Sequence, residues 1–247
     1  YWILQALGNA NKMDHAIASI RLCWEPMVRL NKGCFWELFS PEWTTFLADG
    51  DKAPTMPSYC HPWSSGVTAW LSNVLGGVQP LLPGYRKYVA TPYVSLHYPS
   101  VSTMVPTPIG PVAVNASLEH NSEMSQLDPT DIIVNISIQA PVSGIVGFQK
   151  SISNSRESSG LRQNGHITVL VDGIEATYLS AKALGLSGLY VPTRESALWF
   201  VEIPTRGFHI ITIKYKATCG RPSNLQTERR LPPASAGPGI VPHIPPF

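Results

Sequence analysis

The chain has 247 residues, 44% hydrophobic and 14% charged, and 18 basic against 16 acidic side chains leave a formal net charge of +2. That composition fits one large or two smaller globular cores and excludes a disordered polyelectrolyte. The balanced charge gives no electrostatic reason for a nucleic-acid or membrane-surface partner, and no apolar run reaches the roughly 18 residues a membrane span needs.

The opening Tyr1-Trp2-Ile3-Leu4-Gln5-Ala6-Leu7 has neither a basic start nor a small-residue cleavage site. It is a poor signal peptide and reads as a helix entered midway, so the chain is expected to be the C-terminal part of a longer protein. Residues 13–30 carry a helical period, with Met13, Ala16, Ile17, Ile20, Trp24, Met27 and Val28 on one face. Asn11 and Asp14 signal its start, and Pro26 is expected to kink its last turn. Together with the piece before Gly8 it forms a helical hairpin.

Residues 31–63 form a long proline-broken connection, a length that often marks function. Two stretches inside it stand out: Gly33-Cys34-Phe35-Trp36-Glu37 and His61-Pro62-Trp63-Ser64-Ser65-Gly66. They put a carboxylate and an imidazole among the aromatics Phe35, Trp36, Trp43, Tyr59 and Trp63. Acid, base and flat apolar faces are the equipment of a sugar-cleaving pocket, although glycoside hydrolysis runs on two carboxyl groups and only Glu37 is evident here. A helix is predicted at 65–75, with Val67, Trp70, Leu71, Val74 and Leu75 as its apolar face and Gly76 ending it.

Beyond Gly76 the pattern changes to short strands separated by Pro, Gly, Asn and Ser. Ile132, Val134, Ile136 and Ile138 alternate on one face of 131–138. Further strands are predicted at 166–171, 197–203 and 208–215, with weaker ones at 87–91, 93–98, 111–116 and 144–149. Many short strands without a long helix predict an antiparallel β-sandwich. Ser151–Asn164 reads as a mobile hairpin loop, and from Arg221 the chain turns polar and proline-rich, as an extended or disordered tail does.

Four cysteines, Cys23, Cys34, Cys60 and Cys219, match no zinc spacing. Cys34 and Cys60 each adjoin one half of the Glu37/His61 pair, where they are either buried free thiols or a disulfide joining the halves. The sequons Asn115-Ala116-Ser117 and Asn135-Ile136-Ser137 lean slightly towards secretion.

The ordered set Gly33–Glu37, Ser58–Gly66, Leu75-Gly76-Gly77-Val78 and Pro83-Gly84-Tyr85 resembles the inverting α-L-rhamnosidase family, most strongly over residues 13–92 and weakly through Thr107–Pro111. In that family a six-hairpin α/α barrel ends in such a stretch and a β-sandwich follows. The resemblance therefore implies a mixed, two-domain fold. Residues 1–84 would be an all-α tail of the barrel, residues 85–219 an antiparallel β-sandwich, and residues 220–247 a Pro-rich tail. It implies that Glu37 is the general base, that His61 contacts bound rhamnose, and that the general acid lies upstream of this chain. It further implies rhamnose-containing glycosides or polysaccharides as substrates, with no metal and no cofactor. Gly33-Cys34 departs from the Thr residues the family often has before its aromatic-Trp-Glu, which touches backbone support and leaves the carboxylate in place.

Plainer roles stand beside these. Glu37 can cap a loop or pair with a base, and His61 can be a satisfied histidine at a helix entrance. Trp36 and Trp63 line the pocket or pack behind it. Pro41-Glu42-Trp43 reads as a turn, and Asp49-Gly50-Asp51 has too few acids for a calcium loop. The alternative functions are a carbohydrate-binding or structural module without chemistry, or another α/α-barrel glycosidase or polysaccharide lyase.

Overall fold

The computed structural model describes residues 1–30, 34–37, 58, 60–120, 132–150, 152, 166–184, 186 and 197–215. Most of Ser151–Asn164, the tail from 220, and Gly33, Glu42, Trp43, Asp49–Asp51, Tyr59 and Cys219 lie outside the described residues.

Helix α1 (Trp2–Asn9) and helix α2 (Met13–Leu30) form the expected hairpin, turned at Asn11 with φ 55°. A third helical stretch changes pitch along its length. It begins as a 3-10 turn (Pro62–Ser65), becomes helix α3 (Gly66–Trp70) and widens to a π turn (Leu71–Leu75). Leu4, Met13, Ala16, Val67, Trp70 and Val74 bury a common core between these pieces. Trp70 Nε1 donates to the Leu4 carbonyl at 3.0 Å, which satisfies its buried polar atom while the ring fills the cluster. Of the expected α2 stripe, Met13, Ala16, Ile17 and Met27 are buried, whereas Val28 is 60% exposed.

Among the described residues ten strands make two sheets. One has the order β1 (Val78–Pro80), β2 (Tyr88–Ala90), β6 (Gly144–Gln149), β9 (Leu198–Ile203). The other runs β3 (Ser100–Val105), β4 (Val112–His120), β5 (Ile132–Ala140), β10 (Gly207–Tyr215), β7 (Ile167–Val171), β8 (Ile174–Glu175). Every pairing is antiparallel except β2 with β6. The sheets share one core, in which Val146, Phe148 and Val201 meet Val114, Ile136, Ile138, Ile211 and Ile213. Strand β5 shows why: its even-numbered residues from Ile132 to Ile138 point inward and its odd ones outward. Strand β6 is buried from Gly144 to Phe148 because Leu186 and Ala181 cover the other side of its sheet, against Ile145 and Phe200. Tyr215 spans the sandwich, its hydroxyl donating to the Gln149 carbonyl at 2.6 Å, and burial pushes that phenol well above its ordinary range.

The expected fold class needs correction. An all-α segment forming the tail of an α/α six-hairpin barrel is not what the described residues build. They hold three helices, of 8, 18 and 5 residues, against ten strands, so the described chain is mostly β. The physical reason is local. The third helix has only five α-helical residues before its ladder loosens, and Gly76 and Gly77 then turn the chain into β1. Gly77 has φ 75°, and a Cβ there would lie 2.3 Å from the Thr91 carbonyl carbon, so only glycine allows this close crossing. The helices are a small layer closed onto the sheets, and β1 already joins the four-stranded sheet before residue 85.

Candidate active site

The two stretches singled out in sequence meet. Glu37 N–H donates to the Ser58 carbonyl at 2.9 Å, and His61 N–H donates to the Phe35 carbonyl at 2.8 Å. The bonded residues are two apart on one side and three apart on the other. The bridge is thus bulged, the device by which an extended pair re-aims a side chain. Pro62 biases the residue before it away from helix, and His61 is extended at φ −121° and ψ 121°. The imidazole consequently projects before the 3-10 turn begins.

Glu37 Oε2 stands 3.8 Å from His61 Nδ1, with the two side chains 31% and 29% exposed. That is too long for a direct hydrogen bond. A ligand hydroxyl seated between them would donate to the carboxylate and accept from an Nδ1–H. The same Oε2 accepts the Ser58 N–H at 2.9 Å, which fixes the carboxylate's direction. Trp63 is 64% exposed and lies against His61, with ring centroids 4.3 Å apart and an interplanar angle of 47°. Its Nε1 donates to the Glu37 carbonyl at 3.3 Å. One carboxylate, one imidazole and one open aromatic face therefore share a small area.

Trp36 is placed differently. It is fully buried, its N–H donates to Met27 Sδ at 3.4 Å, and its carbonyl accepts the Ser64 hydroxyl at 2.5 Å. Trp24 Nε1 of α2 donates to the Ser64 carbonyl at 2.9 Å. Trp36 and Trp24 thus anchor both stretches to α2, and of the two tryptophans named in sequence only Trp63 offers a face to a ligand. The sequence shows Ser58 and Ser64 only as members of the motif stretch; that the Ser58 N–H binds the Glu37 carboxylate and the Ser64 hydroxyl binds the Trp36 carbonyl is not legible from residue type. No group of three or more His, Cys, Asp or Glu able to hold a metal occurs among the described residues, and no helix there is long and apolar enough to cross a membrane.

A second polar cluster escaped the sequence reading. His209 Nδ1 lies 2.8 Å from Asp172 Oδ2 and its Nε2 lies 3.2 Å from Thr205 Oγ1. Asp172 Oδ1 accepts the Ile210 N–H at 2.8 Å. First that backbone donor, then His209, holds the Asp172 carboxyl below its ordinary value. With Asp172 at φ 52° in the β7–β8 turn, the cluster reads as a pin between that turn and β10.

No family model matches the chain, and no curated protein matches it. Among solved structures it is similar to an α-L-rhamnosidase from Dictyoglumus thermophilum, with 17% identity and a TM-score of 0.42 over 65% of this chain and 15% of that one. It is also similar to Streptomyces avermitilis α-L-rhamnosidase complexed with L-rhamnose, with 16% identity and a TM-score of 0.41 over 72% of this chain and 13% of that one. The chain thus spans about one seventh of the length of either structure, and at these scores the likeness is distant and assigns no residue a role.

Proposed function

We propose that this chain carries the general-base side of a glycoside hydrolase site acting on terminal α-L-rhamnose, with Glu37 as the base. The observation that supports it is the convergence of the Glu37 carboxylate and the His61 imidazole at 3.8 Å beside the exposed Trp63 ring. In this reading the substrates are rhamnose-containing glycosides or polysaccharides, and the reaction inverts the anomeric carbon. Glu37 takes a proton from a water as that water's oxygen bonds to the anomeric carbon. The glycosidic bond breaks, and the leaving oxygen takes a proton from a second carboxyl group. Inversion requires the two carboxyl groups roughly 6.5–9.5 Å apart, with the water between. This reading takes the second group from outside the described residues. His61 hydrogen-bonds a sugar hydroxyl, and Trp63 stacks on the sugar's apolar face.

The test is turnover of an aryl α-L-rhamnoside by the full-length protein, with and without Glu37→Gln. Loss of a general base lowers kcat by about 10²–10⁴-fold. Undiminished turnover in the variant removes Glu37 from the mechanism.

A second reading has its own observation. The Ser58 N–H bond to Glu37 Oε2 makes the carboxylate a tie between two stretches of chain, in a carbohydrate-binding or structural module without chemistry. Under that reading Glu37→Gln leaves any rhamnoside binding intact, and no turnover exists to lose.

A further inference from the structure

Both sequons land on one strand pair and on one face of it. Strands β4 and β5 run antiparallel with Asn115 opposite Ser137 and Ser117 opposite Asn135, so each acceptor amide stands across from the other triplet's hydroxyl. Val114, Ala116, Val134 and Ile136 are buried in the core, which turns those four polar side chains to the outer face of the six-stranded sheet. The two amides are held differently. Asn115 is exposed; its Oδ1 accepts the Ser102 hydroxyl at 2.6 Å, whereas its Nδ2 reaches Ser137 Oγ only at 3.5 Å. Asn135 is half-buried; its Oδ1 accepts the Thr212 hydroxyl at 3.0 Å, and its Nδ2 donates to the Glu119 carboxylate at 3.2 Å. The same face carries the exposed apolar side chains Met104, Phe208 and Ile210. Met104 pairs with Ala113, diagonal to Asn115, and Ile210 pairs with Ser137, the residue opposite Asn115. Two strand spacings put Ile210 about 10 Å from Asn115. Large apolar side chains on an outer sheet face are an association liability unless something shields them.

We propose that Asn115 carries an N-linked glycan and Asn135 does not, and that the glycan shields the apolar side chains of that face. The donor is a lipid-linked diphosphate oligosaccharide of the secretory pathway, and the nucleophile is Asn115 Nδ2. The bond from the sugar's anomeric carbon to the diphosphate oxygen breaks, and the lipid diphosphate leaves with the electron pair. A bond from that carbon to Nδ2 forms, and the amide gives one of its two protons to a base of the transferase. Ser117 supplies the hydroxyl that the transferase reads two residues on. The transfer precedes folding, so the fold decides which product survives. At Asn115 the sugar disturbs only a contact at the limit of hydrogen-bonding distance, and Oδ1 keeps Ser102. At Asn135 it disturbs a bond to a charged acceptor, which is the stronger kind. The two amides are diagonal neighbours, roughly 7–8 Å apart, which is too close for two branched sugar chains to leave from both. From Asn115 the glycan lies over Met104 and reaches Ile210. This assignment is independent of what Glu37 does.

The experiment takes the protein from its natural source, releases N-glycans with peptide N-glycosidase in heavy-oxygen water, and maps the peptides by mass spectrometry. Release turns a glycosylated amide into a carboxyl that carries the heavy oxygen, so the label identifies the acceptor. The expected result is label at position 115 and an unmodified Asn135. Ser117→Ala, made in the same host, keeps the Asn115 amide and loses the label. After release from the folded protein, light scattering is expected to rise as Met104, Phe208 and Ile210 lose their cover. Label at Asn135, alone or together with Asn115, or label at neither, would overturn the assignment, and unchanged scattering would overturn the shielding. The wild-type map decides the acceptor even if the variant fails to fold, and none of these outcomes bears on whether Glu37 is a base.

Discussion

Tyr93 donates its hydroxyl to Asp14 Oδ1 at 2.8 Å, and Ser95 donates to the same oxygen at 3.1 Å. Asp14 stands in the first turn of α2, whereas Tyr93 and Ser95 follow β2, so one carboxylate couples the helical layer to the sheet layer. Ser95 is buried and Asp14 half-buried, which makes the coupling worth more than a solvated pair. Hydrogen bonds to a charged acceptor contribute about 1.5–3 kcal/mol each. Asp14→Ala is expected to lower unfolding free energy by about 2–3 kcal/mol in urea, and Asp14→Asn, which keeps one acceptor oxygen, by roughly half as much. In a cycle with Tyr93→Phe the two losses should not add. Additivity would show that the contact carries no coupling.

The two tryptophans of the candidate site should separate cleanly. Trp36 is fully buried, so Trp36→Ala is expected to cost about 3–5 kcal/mol of stability, read as a lowered denaturation midpoint. Trp63 is 64% exposed, so Trp63→Ala should leave the midpoint nearly unchanged. Under the proposed function Trp63→Ala instead raises KM for an aryl rhamnoside about tenfold with kcat less affected, the signature of lost stacking worth roughly 1.5 kcal/mol. A large midpoint drop with no change in KM would make Trp63 a packing residue.

What was legible in the sequence was whatever local periodicity controls. The alternation of Ile132 to Ile138 gave β5 its inward face, and the Met13–Met27 stripe marked α2. The segment 93–98 looked like a strand yet is irregular. Its backbone groups go elsewhere: Tyr93 N–H bonds the Leu75 carbonyl, and Ser95 and Tyr98 bond each other across a turn. Strand β3 was missed because its residues alternate only between exposed and half-exposed, at a sheet edge with weak pattern. The larger error, an α/α-barrel tail, came from extending a real helical hairpin by resemblance into an architecture that local sequence does not encode. The candidate site was legible as types and spacing, Glu37 and His61 with their aromatics. The bulge that turns them together depends on Ser58 and on bonds that no residue type advertises.

Asp172 supplies a pH prediction. Its carboxyl is held below the ordinary 3.8, first by the Ile210 N–H and then by His209. A folded value lower than the unfolded one contributes stability that is complete above the unfolded value and disappears as pH falls through the folded one. The side chain is 46% exposed, so solvent screening limits the contribution to under about 1 kcal/mol. Asn tolerates the left-handed turn that Asp172 occupies, which isolates charge from backbone in Asp172→Asn. The variant should be slightly less stable than the parent in urea at neutral pH and indistinguishable from it well below pH 3.8. A difference that persists or grows in acid would mean the carboxyl is not stabilised in its charged form.

Tyr88 and Gly144 pair across the parallel β2–β6 ladder, and their substitutions should move stability in opposite directions. The Tyr88 ring lies over the Gly144 backbone so closely that a Cβ at 144 would sit 2.3 Å from the ring's Cζ. Both residues are buried at the starts of their paired strands, so neither can give way cheaply, and Gly144→Ala is expected to cost about 1–3 kcal/mol through overpacking. The Tyr88 hydroxyl is buried and finds no hydrogen-bond partner among the described residues, and burial pushes its pKa up to about 12. An unpaired buried hydroxyl costs roughly 1–3 kcal/mol, and the ring itself supplies the packing. Tyr88→Phe removes the penalty and keeps the ring, so the thermal midpoint should rise or hold. In the double variant the alanine should still be costly, because the clash is with ring carbons. If Tyr88→Phe instead lowers the midpoint by several degrees, the hydroxyl has a partner in solution and the sandwich interior at that end holds a polar group that must be kept.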